Sequence, residues 1–268
     1  MAESLSAFLI AVPIAVLGGL IGLGGAEFRL PVLVGLLRRS AHQAVPINLA
    51  VSLVTLLVSL MVRLRTLPAL PLESLVLILI AMIGGAMLTA FLGAGLTARL
   101  TPHALESWMR LLLTAIGLLL IVEGFFPLSE AGLVGNAAWA QALTGFAAGC
   151  LIGVVSSTLG VAGGELIIPT LIFIFGVGVK TAGSASLIIS LPTVMVGLAR
   201  YARKGLWFSR SEGVSIVLPM GLGSVIGSIL GGVLAGVVPA NTLKVILGLV
   251  LIVSALRMFH WKNSARGG

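Results

Sequence analysis

Gly22-Leu23-Gly24-Gly25-Ala26-Glu27-Phe28-Arg29-Leu30-Pro31-Val32-Leu33 returns 138 residues later as Gly160-Val161-Ala162-Gly163-Gly164-Glu165-Leu166-Ile167-Ile168-Pro169-Thr170-Leu171. Without a gap, Gly22 falls on Gly160, Gly25 on Gly163, Glu27 on Glu165, Pro31 on Pro169 and Leu33 on Leu171. The match runs on: Ala44, Leu49, Ser52, Thr55, Arg65, Met82, Gly85 and Gly93 meet Ala182, Leu187, Ser190, Thr193, Arg203, Met220, Gly223 and Gly231. Shared Leu or Ala means little in apolar helices, but a Gly, Glu and Pro cluster at fixed spacing is a strong sign of an internal repeat. The reading assigns residues 1–130 to a first membrane repeat and 131–268 to a second, together forming a single transmembrane unit.

Around these two stretches the composition fixes the fold class. Of 268 residues, 59% are hydrophobic and only 9% charged, with a mean hydropathy of +1.21, whereas a soluble domain carries about 25% charged residues. Apolar runs follow one another from Leu5 to Phe259, leaving no room for a separate soluble domain. The expected fold is therefore an all-α polytopic membrane protein. In the first half the runs are Leu5 to Leu23, a short Phe28 to Leu37, Ala44 to Val62, Leu70 to Leu96 and Leu105 to Phe126. In the second they are Ala137 to Leu159, a short Leu166 to Val179, Ala182 to Ala199, Gly213 to Val238 and Leu243 to Phe259. Each short run follows a glycine-rich break and is too brief to span as a regular helix, so it reads as a half-helix or re-entrant segment.

The net charge of +8 is scattered between apolar runs, which argues against a nucleic-acid partner and for topology signals. If each half crosses five times, Arg38, Arg39, Arg99, Arg110, Arg200, Arg203, Lys204, Arg210, Arg257, Lys262 and Arg266 share the cytoplasmic side, with only Arg63, Arg65, Lys180 and Lys244 opposite. Four crossings per half give a weaker bias. An odd number inverts the second repeat relative to the first, and places both termini in the cytoplasm of a cell with the protein in its inner membrane. The N-terminus lacks a basic region and cleavage site, so the first run is expected to be kept.

The chemistry should sit at the breaks. Inverted-repeat transporters hold cargo near the bilayer midplane, where broken helices present their N-termini. Gly22, Gly24, Gly25, Gly160, Gly163 and Gly164 allow a sharp turn and close approach of backbone to ligand, which suits a small anion. Helix packing by small residues is the bland alternative, and it is preferred for Gly223, Gly227 and Gly231, which recur every four residues. Glu27, Arg29 and Glu165 are ionisable groups expected inside the membrane, a costly placement that points to function. Arg29 is the expected anion contact. Glu27 and Glu165 are expected either to cap their short helices or to carry protons, since a carboxyl held away from water keeps its proton more readily. His42, Gln43 and Asn48, with Lys180, Thr181, Ser184 and Ser186 in the second half, are further candidates, although most groups of this kind are helix-end or interhelical contacts. Glu73, Glu106, Glu123, Glu130 and Glu212 read as interfacial charges, and Trp108, Trp139, Trp207 and Trp261 as an aromatic belt.

Asp is absent, Cys150 stands alone in an apolar run as a buried small hydrophobe, and His42, His103 and His260 are dispersed. No nucleophile and base pair, metal cluster or cofactor motif results, so neither an enzyme nor a cofactor is expected.

GLGGAEFRLPVL and GVAGGELIIPTL resemble the duplicated motif, roughly GxGGGxxxxPxL, of the TauE/SafE sulfite exporter family of membrane permeases. The resemblance covers nearly the whole chain and marks Gly22, Gly24, Gly25 and Pro31, then Gly160, Gly163, Gly164 and Pro169. Ala26 and Ala162 replace motif glycines. It implies transport, most simply export, of sulfite or a related organosulfur anion. Glu27, Arg29 and Glu165 depart from the apolar residues expected there, which leaves an organic sulfonate or carboxylate open. The combined expectation is a proton-coupled secondary transporter working by alternating access at a site formed by the breaks with His42, Asn48, Ser184 and Ser186. A passive anion channel, a carrier of a non-sulfur carboxylate, and a homodimer stay open.

Overall fold

The computed structural model describes residues 2–67, 70–96, 102–125, 132–135, 137–159, 162–205 and 207–264; within them the side chains of residues 2, 41–42, 92–96, 102–110, 112, 157–159 and 257–264 fall outside the description. Helix makes up 86% of the structure, with no strand among the described residues. The chain runs α1 (Ala2–Ile21), α2 (Ala26–Pro31), α3 (Ala41–Thr66), α4 (Val76–Leu96), α5 (Pro102–Phe125), α6 (Ala138–Leu159), α7 (Gly164–Pro169), α8 (Val179–Arg203), α9 (Arg210–Glu212), α10 (Leu218–Val237) and α11 (Ala240–Ser264). Among the described residues six stretches are long and apolar enough to cross a membrane: Glu3–Ile21, Gln43–Thr66, Glu73–Phe91, Ala138–Ser156, Val179–Arg203 and Arg210–Val237.

Helix boundaries follow local chemistry. α1 stops where Gly22, Gly24 and Gly25 take φ values of 98°, 83° and 73°, a left-handed backbone that side chains with a Cβ rarely accept. α2 and α7 each end on a proline, Pro31 and Pro169. Because proline has no N–H to give to the preceding turn, the helix widens there into π-turns, Val32–Leu36 and Thr170–Ile174. At the start of α3, Gln43 Oε1 accepts from the Ser40 N–H at 3.2 Å and the Ser40 hydroxyl at 3.1 Å, so Gln43 is a helix-start group.

The helices exchange partners between the two halves of the chain. α1 packs most extensively on α10, α4 on α6, and α5 on α11, with α3 and α8 crossing at the centre. α10 also lies against α3 as α4 lies against α8. α3 and α8 run antiparallel: Arg63, near the end of α3, meets Lys180 and Ser184, near the start of α8. At the other end, Leu49 approaches Gly197. α5 and α11 are antiparallel too, with Gly117 beside Gly248 and Gly124 beside Asn241 and Val245. Gly223, Gly227 and Gly231 form the stripe their spacing predicts, against the backbone carbonyls of Phe8, Val12 and Val16 on α1.

Several charges depart from the sequence reading. Glu123, read as interfacial, and Lys244, read as a topology signal, are buried and paired at 2.6 Å between α5 and α11. Glu212 is buried rather than interfacial: Oε2 accepts from the Ser209 N–H and hydroxyl, each at 2.8 Å, while Oε1 lies 3.6 Å from Arg39. Arg39 also pairs with Glu3, tying together the starts of α1 and α9 and the end of the first short helical segment. Cys150 is half-buried, not buried; Thr89 of α4 donates to its carbonyl at 2.9 Å. Glu73, Trp139 and Trp207 are exposed. Glu130 lies outside the described residues, as do the side chains of Glu106, His103, His260, Trp108 and Trp261.

Candidate functional site

The two breaks touch. Gly22 has no side chain to keep the Gly183 carbonyl of α8 away, and a Cβ on Gly164 would sit 3.1 Å from the backbone of Leu23. Gly163, with φ 78°, opens α7 as Gly25 opens α2, in both cases without a side-chain cap. Gly160 lies outside the described residues.

Each short helix carries a glutamate in its first turn, Glu27 in α2 and Glu165 in α7. They lie near enough to act on each other electrostatically. Glu165 is buried and Glu27 partly so, and one buried oxygen on each, Oε1, has no hydrogen-bond partner. Ser254 of α11 stands beside Glu165.

Two residues after Glu27, the fully buried Arg29 points away into α3. Nη1 donates to Ser52 Oγ at 2.9 Å and Asn48 Oδ1 at 3.4 Å; Nη2 donates to Thr55 Oγ1 at 3.0 Å and the Gly24 carbonyl at 3.4 Å. Asn48 returns the favour to the short helix by donating to the Ala26 carbonyl at 3.0 Å. Every one of these acceptors is neutral. Among the described residues no carboxylate lies within ion-pair distance of Arg29, and its Nε is unpartnered. The nest spreads one buried positive charge over hydroxyl, amide and carbonyl dipoles, and Glu27, two residues away, acts on it electrostatically from beyond ion-pair distance.

Arg63 is the second fully buried guanidinium, and it corrects the reading of this residue as a solvent-facing topology signal. Nη1 donates to the Gly19 and Leu20 carbonyls at 3.1 and 2.8 Å, Nη2 to the Lys180 carbonyl at 2.7 Å and Nε to Ser184 Oγ at 3.0 Å. The carbonyls that α1 leaves unpaired by stopping at Ile21 are thus capped by a cation, which also suits the negative end of the helix dipole.

Among the residues singled out by sequence, Glu27, Arg29, Asn48, Glu165, Gly163, Gly164 and Ser186 gather around the breaks. Ser186 Oγ is buried without a partner, next to Gly164. Ser184 is engaged by Arg63 and donates to the Lys180 carbonyl at 3.1 Å. The His42 side chain lies outside the described residues. Ser52, Thr55, Arg63 and Ser254 were not among the candidates. Asn48, Ser52, Thr55 and Ser59 do recur at helical spacing, a polar stripe in an apolar helix that is legible in the sequence.

An all-helical bundle with several helices long and apolar enough to cross a membrane is a multi-pass membrane protein. The chain matches the sulfite exporter TauE/SafE family over residues 7–258, and it belongs to that family. The family suggests export of sulfite or a related anion, a transporter rather than an enzyme. No curated protein and no solved structure matches the chain.

Proposed function

We propose that this protein is a secondary transporter that exports sulfite or a related small organosulfur or organic anion. In this reading residues 1–130 and 131–268 are inverted repeats, and the two glycine breaks are re-entrant segments. The cargo binds where they meet, and the repeats rock against each other to expose it alternately to either side. The observation that carries the proposal is the junction of the breaks: it gathers two carboxylates with unpartnered oxygens and, from α2, a guanidinium hydrogen-bonded only to neutral groups. The antiparallel crossings of α3 with α8 and of α5 with α11, elements 138 residues apart, support inversion.

Arg29 supplies the attraction for the anion, through its field and its unpartnered Nε. Backbone of Gly22, Gly24, Gly25, Gly160, Gly163 and Gly164 approaches the cargo closely, with Asn48 and Ser186 at its margin and His42 and Ser184 further out. Glu27 and Glu165 carry the coupling protons. Protonation removes their repulsion for the anion.

Purified protein in liposomes tests this. Labelled sulfite should accumulate against its gradient when a proton gradient is imposed, show saturation, and exchange with unlabelled sulfite inside. Glu27→Gln or Glu165→Gln should keep exchange and lose the response to the proton gradient. Unsaturable flux without exchange identifies a passive channel, and uptake of acetate-like anions but not sulfite identifies a carboxylate carrier.

A further inference from the structure

Arg63 stands one turn before the end of α3, where a guanidinium on a long side chain normally reaches outward to water. Here it turns inward and is fully buried. Its four bonds divide evenly. Two go to the Gly19 and Leu20 carbonyls at the end of α1, and two to the Lys180 carbonyl and the Ser184 hydroxyl at the start of α8. The division follows the grouping of the helices: α1, α3 and α10 pack on one another, α4 packs on both α6 and α8, and the two groups meet where α3 crosses α8. Arg63 therefore belongs with α1 and reaches across to α8. A second cation crosses the other way, since Lys180 Nζ of α8 donates to the Gly236 carbonyl of α10 at 3.2 Å.

The seam these bonds close adjoins the first break. Gly183 lets the end of α1 come against α8 with no side chain between: a Cβ there would collide with the Ile21 carbonyl and lie 2.8 Å from Arg63 Nη2. Behind the seam Ser59 sits beside Gly19, fully buried, with its hydroxyl unpartnered. Thr55, Ser52 and Asn48 continue that polar line, on one face of α3, to Arg29. The opposite end of the crossing lacks the parts for such a seam. At a shift of 138 residues Arg63, Lys180, Gly183 and Ser184 answer to Tyr201, His42, Val45 and Pro46. No guanidinium stands there to bridge several carbonyls, and Val45 has a side chain where Gly183 has none.

We propose that Arg63, assisted by Lys180, is the latch that seals one end of the transport path. It holds the broken end of α1 on α8, and each time that end opens it lets go of Lys180 and Ser184 while keeping Gly19 and Leu20. Arg63 is a positioning residue and touches no cargo. The inference rests on the alternating-access reading above. Neutral acceptors suit such a part, because parting from them leaves no buried opposite charge behind. The α1 carbonyls meanwhile keep the guanidinium at the negative end of the helix dipole.

Cysteine accessibility tests the latch, in the purified full chain carrying Cys150→Ala, with a charged, water-soluble maleimide. Ser59→Cys reports on the space behind the seam, and Ser224→Cys on buried packing far along α10 from Gly236. Ser59→Cys should label slowly while Arg63 is present. With Arg63→Gln, which is too short to span both helices, it should label roughly tenfold faster, the change expected for one lost charged hydrogen bond, while Ser224→Cys stays shielded. In liposomes Arg63→Gln should bind labelled sulfite as wild type does yet exchange it far more slowly, because this end no longer closes. Labelling of Ser59→Cys as fast with Arg63 as without it overturns the latch, and so does exchange at the wild-type rate. A parallel rise at Ser224→Cys also overturns it, since Arg63 would then support the fold alone. Should Arg63→Gln not fold, Lys180→Met decides: faster labelling of Ser59→Cys supports the latch and no change overturns it. If wild-type liposomes exchange no sulfite, the transport reading falls and the latch with it, whereas the labelling outcomes overturn the latch and leave that reading standing.

Discussion

The junction of α2 with α3 and that of α7 with α8 share a backbone plan and differ in charge. Both have a left-handed glycine, a glutamate in the first helical turn, a proline four residues after it and a π-turn beyond. In the first, Arg29 buries a guanidinium in the polar face of α3; in the second, Ile167 stands in its place and the polar face of α8 keeps an unpartnered Ser186 hydroxyl. The lesson is that the backbone frame can be duplicated while its electrostatics are not. One helix face is thereby held by a buried cation, and its counterpart is not.

The sharpest way to break this comparison is to make the halves alike. Ile167→Arg should place a second guanidinium against Ser186, Ser190 and Thr193, leaving a monodisperse protein whose sulfite transport in liposomes falls to background. Transport at the wild-type rate would show that the α8 face plays no part. Next in size is Arg63→Met, which strips the donor from the Gly19, Leu20 and Lys180 carbonyls and from Ser184. Each buried group left unpaired costs about 1–3 kcal/mol, so thermal unfolding in detergent should occur well below that of wild type, whereas Tyr201→Met, at the corresponding place in α8, should change it little.

A smaller loss is expected at the ion pair joining the halves. Lys244→Met leaves the Glu123 carboxylate buried alone, a change that typically costs about 3–5 kcal/mol, while Glu123→Leu combined with Lys244→Met should recover most of it. Denaturant titration of the two variants separates these outcomes; equal losses would mean the pair contributes through packing only. The least effect belongs to Arg39, whose nearer partner Glu3 is substantially exposed and whose other partner, the buried Glu212, lies 3.6 Å away. Arg39→Ala should cost under about 1 kcal/mol, and because Val177 takes its place in the second half, Val177→Arg should add no comparable ion pair.

What the sequence conveys here follows from distance along the chain. The breaks were legible because Gly22 to Pro31 carries its instructions locally: glycines permit the turn, and proline widens the helix. The packing role of Gly223, Gly227 and Gly231 was legible from spacing, though their partner α1 was not. Arg63 was misread because its acceptors lie 44, 43 and 117 residues away; by itself, a basic residue near the end of an apolar run looks like a loop charge. Glu123 and Lys244 were missed for the same reason, being separated by 121 residues. Arg29 was recognised as exceptional from its cost alone, yet its neutral nest needed Asn48, Ser52 and Thr55 to be seen on one face of the following helix. Ser254 carries no local signal at all.

The pairing of α1 with α10 and of α6 with α4 has a consequence for how the protein is made. When α5 has left the ribosome, the face of α1 that Gly223, Gly227 and Gly231 will cover still lies against lipid or a temporary neighbour, and it remains so until α10 has been synthesised. The nascent first half is therefore an unfinished object, open to membrane chaperones and proteases for the time needed to translate some hundred further residues. Cutting the chain between α5 and α6 should leave neither piece stable alone, yet the two pieces expressed together should find each other, since the surfaces that complete each lie on the other.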